Sequence, residues 1–278
     1  MSNKETLLCY IHGYAGAPGH WDGLRKRMAT RSIHSHPEVV VTLAGHGRKT
    51  LVPGPFDIET CARDVLQSLG DYPAILIGHS MGTRIAMEIA SLAPAQVRGL
   101  LLVDGSNVPC DAAQIARDLQ SRIDKHGYVP VMEKTMRSML IDGLDDSVQA
   151  TMLGNIKQLS QEAAIDYEAS MAAWDTECFP LRIESIDQPV SIVQSTSLLV
   201  DRGWERVPID RQPGSLWLEA WSSRPGVDIH RLSGCGHYCM MEAPEFIAQQ
   251  LTALIERSNQ SGDQPAPAAA VNRLSGGS

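Results

Sequence analysis

No apolar run in this 278-residue chain approaches the length needed to cross a bilayer. Met1 to Thr6 is polar and passes straight into Leu7-Leu8-Cys9-Tyr10-Ile11, without the charged start and long apolar stretch of a secretory leader. Basic clusters are scarce too: none exceeds Arg25-Lys26-Arg27, which reads as a solvated helix face. With 24 Lys and Arg against 32 Asp and Glu, the net charge is −8, so a nucleic-acid partner is not expected. The six cysteines, Cys9, Cys61, Cys110, Cys178, Cys235 and Cys239, lack the spacing of a disulfide framework and read as free thiols. There is no internal repeat. These absences predict a cytoplasmic protein with neither membrane nor nucleic acid as partner; they leave the oligomeric state open.

What is present is a globular composition. Hydrophobic residues are 43% and charged residues 20%, enough for a sizeable core. The length suits one large α/β domain or two small ones. Buried strands are expected at Leu7–Ile11, Val39–Val41, Ile75–Ile77 and Val97–Val103. Helical spacing separates them: Trp21, Leu24 and Met28, then Ile58 to Leu69 with Asp57 as N-cap, then Ile85, Ala86, Ile89 and Ala90 up to Pro94. Strand–helix alternation of this kind predicts a mostly parallel sheet of about six strands with helices on both faces.

From Pro109 to Glu184 the alternation stops, and apolar residues recur at helical spacing, as in Met132, Met136, Met139, Leu140 and Val148, Met152, Ile156, Leu159. This is read as an all-helical insertion over residues 108–185, between core segments 1–107 and 186–258. Strands resume at Val190–Val193 and Val227–Leu232. A last helix runs from about Pro244 to Arg257, and 259–278 has the composition of a disordered tail.

Ile75-Leu76-Ile77-Gly78-His79-Ser80-Met81-Gly82 organises the rest. An apolar strand runs into Gly-x-Ser-x-Gly and then at once into a helix, the context of a nucleophile elbow. The turn is so tight that Gly78 and Gly82 must carry no side chain, and Ser80 lies at a helix N-terminus that favours developing negative charge. Position marks two backbone N–H groups for an oxyanion hole, that of Met81 and that of Tyr14 after His12-Gly13.

The order His12-Gly13, Gly45-His46-Gly47, Gly78-His79-Ser80-Met81-Gly82 and Gly236-His237 resembles the α/β-hydrolase superfamily over roughly residues 7 to 257. The resemblance implies Ser80 as nucleophile, His237 as base, and the helical insertion as a cap. His12 would hold the oxyanion loop, and His46 its own loop. The family's usual place for the acid, just after Val190–Val193, holds no carboxylate. Asp104, directly after Val97–Val103, is favoured because some members carry their acid there; Asp201 is the alternative, and an Asx turn is the bland role for Asp104.

A methionine-rich cap, with Met132, Met136, Met139, Met152, Met171 and Trp174, offers an apolar wall if these residues are not simply its own core. Tyr14, His79, Met136 and Trp174 are the candidates for substrate contact. Cys235, His237 and Cys239 alternate like metal ligands but have no fourth ligand nearby, so no metal is expected, and no cofactor.

The resemblance implies a serine hydrolase of a small, partly apolar carboxylic ester, thioester or lactone, working through an acyl-enzyme. Ser80 argues against the aspartate-dependent dehalogenases and epoxide hydrolases, and Tyr238 after His237 against hydroxynitrile lyases. Carbon–carbon bond hydrolysis, cofactor-free haloperoxidase chemistry and a non-catalytic receptor stay open.

Overall fold

The structure, a computed structural model, describes residues 4–31, 36–49, 52–140, 146–199 and 205–262. Asp201 lies outside them, as do 263–278 of the expected tail. Among the described residues, six strands form one sheet: β1 (Leu7–Ile11), β2 (Glu38–Val40), β3 (Ala74–His79), β4 (Val97–Val103), β5 (Val190–Gln194) and β8 (Val227–Arg231). Their order is β2-β1-β3-β4-β5-β8, and every neighbouring pair is parallel.

Side chains alternate across the sheet as a period of two requires. Leu7, Cys9, Ile11, Leu76, Leu100, Leu102 and Ile192 enter the core on one face. Leu8, Tyr10, Ile75, Ile77, Leu101, Val103 and Val193 enter the core on the other. Because both faces are covered, the central strands β1, β3, β4 and β5 read as largely apolar runs. Helix α2 (Ile58–Leu69) buries Ile58, Cys61, Ala62, Val65 and Leu69 on the first face. Its N-cap Asp57 accepts the Thr60 N–H at 2.6 Å, a bond worth about 1 kcal/mol. α3 (Met81–Leu92) packs beside it. On the second face lie α1 (Asp22–Ala29), through Leu24 and Met28, and α11 (Pro244–Gly262), through Ile247, Ala248, Leu251, Leu254 and Ile255.

Between β4 and β5 the described chain is helical: α4 (Ala112–His126), α5 (Tyr128–Arg137), α6 (Asp146–Ile156), α7 (Gln161–Glu177) and α8 (Phe179–Ser185). Two ion pairs fasten this region to α3. Arg84 grips Asp175 through Nε at 2.8 Å and Nη2 at 2.6 Å. Glu88 accepts from Arg182 at 2.8 and 2.9 Å and from the Trp174 indole at 3.0 Å.

Three features differ from the sequence-based reading. The stretch expected as a loop after β5 forms an antiparallel pair, β6 (Thr196–Leu199) with β7 (Glu205–Pro208). A short helix, α9 (Leu216–Ser222), seats Trp217 and Trp221 in the core. The last helix continues to Gly262, past the Arg257 end expected for it and into the start of the expected tail.

Candidate active site

Ser80 stands between the end of β3 and the start of α3 with φ 54° and ψ −116°. An L-residue rarely adopts that positive φ, and the surrounding backbone enforces it. A Cβ on Gly78 would lie 2.3 Å from the Gly82 carbonyl oxygen, and one on Gly82 would lie 2.4 Å from that of Ile11. Neither position tolerates any other residue, so the strand can turn into the helix within one residue. Ser80 is half-buried and faces a cavity.

His237 lies in the loop between β8 and α10 (Cys239–Glu242), and its two ring nitrogens join two other chain segments. Nε2 is 3.0 Å from Ser80 Oγ, and Nδ1 is 2.7 Å from Asp104 Oδ2. An ionised Asp104 can only accept, so Nδ1 carries the proton and Nε2 is free to accept the Ser80 O–H. Burial, then the nearby Arg206 guanidinium, pushes His237 down to about 4, so the imidazole is neutral at pH 7.

Asp104 follows β4 at φ 44°, and its N–H donates to Val193 O at 2.8 Å. Its carboxylate gathers donors that the sequence reading did not identify. Oδ1 accepts from the Ser195 N–H at 2.7 Å, the Ser195 hydroxyl at 3.0 Å and the Thr196 N–H at 2.8 Å. Oδ2 accepts from Thr196 Oγ1 at 2.6 Å and Arg206 Nη1 at 3.1 Å, besides His237. Burial pushes this carboxyl up, but the His237 bond, Arg206 and Thr196 outweigh it and the net direction is down. Ser195 and Thr196, at the entry to β6, occupy the place where a carboxylate was sought; they donate to one supplied by the neighbouring strand end.

Gly13 packs on the elbow so closely that a Cβ there would sit 2.9 Å from Ser80 Cβ. Among the described residues neither the Tyr14 N–H nor the Met81 N–H has a partner. His12 braces this loop: Nδ1 donates to Gly13 O at 2.9 Å while Nε2 accepts the Leu43 N–H at 3.2 Å. His46 donates to Ala44 O at 2.9 Å within its own loop.

A cavity of ≈ 600 Å³ opens above Ser80. Tyr14 lines it, and the Tyr14 hydroxyl donates to Ala164 O on α7 at 3.2 Å. The other three candidates for substrate contact are absent from its lining. His79 is buried beneath the elbow and donates through Nε2 to the His237 carbonyl at 2.9 Å. Met136 is fully buried, and Trp174 is turned inward by its bond to Glu88. Of the expected methionine wall, Met132, Met136 and Met152 are core residues, and only Met139 and Met171 reach the cavity. Charged groups share the lining: Arg84 with its partner Asp175, Arg206 and Glu168, with the exposed Asp118, Arg122 and Lys134. The cavity is therefore more polar than the cap sequence predicts. The reason is that the helices bury these methionines elsewhere: Met132 meets the Tyr14 hydroxyl, Met136 that of Tyr238, and Met152 packs in the core of the second sheet face.

Buried neutral histidines tie stability to pH. Burial lowers His12 and His79 well below the ordinary range, and lowers His20, His46 and His237 to about 4. In the unfolded chain each takes up a proton near pH 6.5. Between about 4 and 6.5 the unfolded state thus binds more protons, so this stability is complete above 6.5 and is lost as pH falls. Each histidine contributes up to about 1.4 kcal/mol per pH unit. Carboxyls raised by burial among the described residues, Asp166, Glu168 and Glu242, work in the opposite sense and are fewer. We expect the Tm to drop steadily from pH 7 to pH 5; a flat Tm by circular dichroism over that range would refute this.

Known proteins resemble this chain in sequence and in fold. The chain is 30% identical over 112 residues to a lipase of Mycobacterium tuberculosis, a match to 38% of this chain, and it spans 42% of the length of that relative. It is 22% identical over 264 residues to a carbendazim hydrolyzing esterase of Nocardioides sp. (strain SG-4G), covering 85% of this chain and 96% of that one. The fold superposes on a thermophilic esterase from Thermogutta terrifontis with a TM-score of 0.75 at 17% identity, over 92% of this chain and 91% of the other. Residues 10–250 match the family-wide pattern of the alpha/beta hydrolase family, and the chain belongs to that family.

Proposed function

We propose that the protein is a serine hydrolase of small carboxylic esters that works through an acyl-enzyme. The observation that carries this reading is the unbroken chain Ser80 Oγ–His237 Nε2–Asp104 Oδ2, at 3.0 and 2.7 Å, with its serine end in a cavity. A serine hydroxyl needs a base to become a useful nucleophile, and a neutral His237 held in the right tautomer is that base. Ser80 Oγ forms the bond to the substrate carbonyl carbon as its proton passes to His237 Nε2. The Tyr14 and Met81 N–H groups receive the oxyanion. Collapse breaks the bond to the alkoxide, which leaves with the proton from His237. Water, deprotonated by His237, then attacks the acyl carbon, and Ser80 departs with that proton.

The helices between β4 and β5 act as the cap, since α4, α5 and α7 supply much of the cavity wall. With six free cysteines and no described helix long and apolar enough to cross a membrane, the cytoplasm is the compartment we assign.

The direct test is covalent labelling with a fluorophosphonate probe alongside turnover of p-nitrophenyl butyrate. Wild type should label at Ser80, and Ser80→Ala should lose both labelling and about five orders of magnitude in kcat. If wild type and Ser80→Ala behave alike, the protein is a receptor on this scaffold.

A further inference from the structure

Arg206 is a charged residue in the cavity that this mechanism does not use. It comes from β7, in the hairpin that follows β5, and is 6% exposed. Its Nη1 donates to Asp104 Oδ2 at 3.1 Å and to Thr196 Oγ1 at 3.0 Å. Nε is buried without a partner, and among the described residues Nη2 has none. A buried guanidinium with donors to spare is costly to keep unless something accepts them.

Arg84, the other buried guanidinium of the lining, is in a different state. It is held bidentately by Asp175 and also meets Ser106 Oγ at 3.4 Å, so its charge is answered within the protein. Arg206 shares its one carboxylate with His237 and with the hydroxyl and amide donors of Ser195 and Thr196. When His237 takes the Ser80 proton, two cations lean on that carboxylate, and a further negative charge beside Arg206 would relieve both. Glu168 on α7 also lines the cavity, but the cations it acts on are Arg122 and Arg84, not Arg206, so it does not meet this need.

Taking the acyl-enzyme reading of Ser80 as given, we propose that Arg206 is an anion-binding residue of the cavity. It seats a carboxylate carried by the substrate, so carboxylate-bearing esters are the preferred class. A planar guanidinium fork is suited to a carboxylate.

Two pairs of esters test this, each rate normalised to the ester's own hydroxide-catalysed hydrolysis. One pair is mono-p-nitrophenyl adipate and p-nitrophenyl methyl adipate; the other is 4-acetoxybenzoate and its methyl ester. The measurement is made in about 0.5 M salt, where exposed charges such as Arg122 and Lys134 are screened. In wild type at least one pair should favour the anion by about tenfold or more in kcat/KM, mainly through KM. Arg206→Met should bring that ratio to about one whatever happens to the absolute rates, and Arg206→Lys should keep part of it.

A wild-type ratio near one in both pairs overturns the proposal. So does a preference that persists in Arg206→Met, which would assign it to the rim cations. Should Arg206→Met fail to fold, wild type alone decides: adipate should compete with the neutral ester and adipamide should not, and equal inhibition by the two would overturn the proposal. Loss of all turnover together with absence of Ser80 labelling in wild type would count against the Ser80 reading itself.

Discussion

Asp104→Asn should lower kcat for p-nitrophenyl butyrate by about four orders of magnitude. The carboxylate fixes which nitrogen of His237 bears its proton. With an amide in its place, the NH₂ group can face Nδ1, and the proton then moves to Nε2, where it blocks acceptance from Ser80. The imidazolium formed during attack also loses its counter-charge.

The same substitution has a structural cost. Donors from Ser195, Thr196, Arg206 and His237 converge on Asp104, and an amide offers them one oxygen instead of two. Removing the charge also leaves Arg206 buried without its partner, a loss of about 3–5 kcal/mol in comparable buried pairs. The two effects separate in the double variant Asp104→Asn with Arg206→Met. Taking away the orphaned cation should recover part of the Tm and none of the rate. A single variant within tenfold of wild type would remove Asp104 from the proposed mechanism and return Asp201 to candidacy.

Much of this arrangement was legible in the sequence because its signals are local. Gly78 is forced by backbone only four to five residues on in the chain, and Gly82 by the end of the adjacent strand β1. Both faces of the four central strands β1, β3, β4 and β5 are buried, so apolar runs mark them. Asp104 was favoured because it directly follows an unambiguous strand, at a place where some members of the resembled family carry their acid.

What the sequence did not show depends on contacts between distant segments. Arg206 is 102 residues from the carboxylate it meets, and no spacing rule links them. Thr196 to Leu199 and Glu205 to Pro208 are only four residues each, short enough to pass for loop. The Asp-Arg-Gly between them was the available hairpin signal. The methionines between β4 and β5 were ambiguous for a different reason. Helical periodicity shows that a face is apolar; it cannot tell whether that face meets a ligand or another helix.

The second large effect concerns the seating of the cap. Asp175→Ala should destabilise the protein by about 3–5 kcal/mol, since Arg84 would stay buried with no counter-ion. Arg84 is 3% and Asp175 2% exposed, so water cannot readily take over either role. Asp175 Oδ2 also accepts the Val108 N–H at 2.7 Å, and so ties the start of the helical region to α7 as well as α7 to α3. Losing that acceptor strands a buried donor, at a further cost of about 1–3 kcal/mol.

A hydrophobic pair should behave differently. Arg84→Met with Asp175→Leu removes both charges together, so their desolvation no longer has to be offset, and it should regain most of the lost stability. Denaturant melts of the three proteins decide the matter, and a loss below about 1 kcal/mol in Asp175→Ala would show that the pair is not the anchor. Activity should follow a different order from stability. α7 carries Glu168, Met171 and Ala172 of the cavity wall, so loosening it in Asp175→Ala should raise KM more than it lowers kcat. The hydrophobic pair should restore the fold before it restores KM, because Arg84 itself lines the cavity. An ion pair that served stability alone would restore both together.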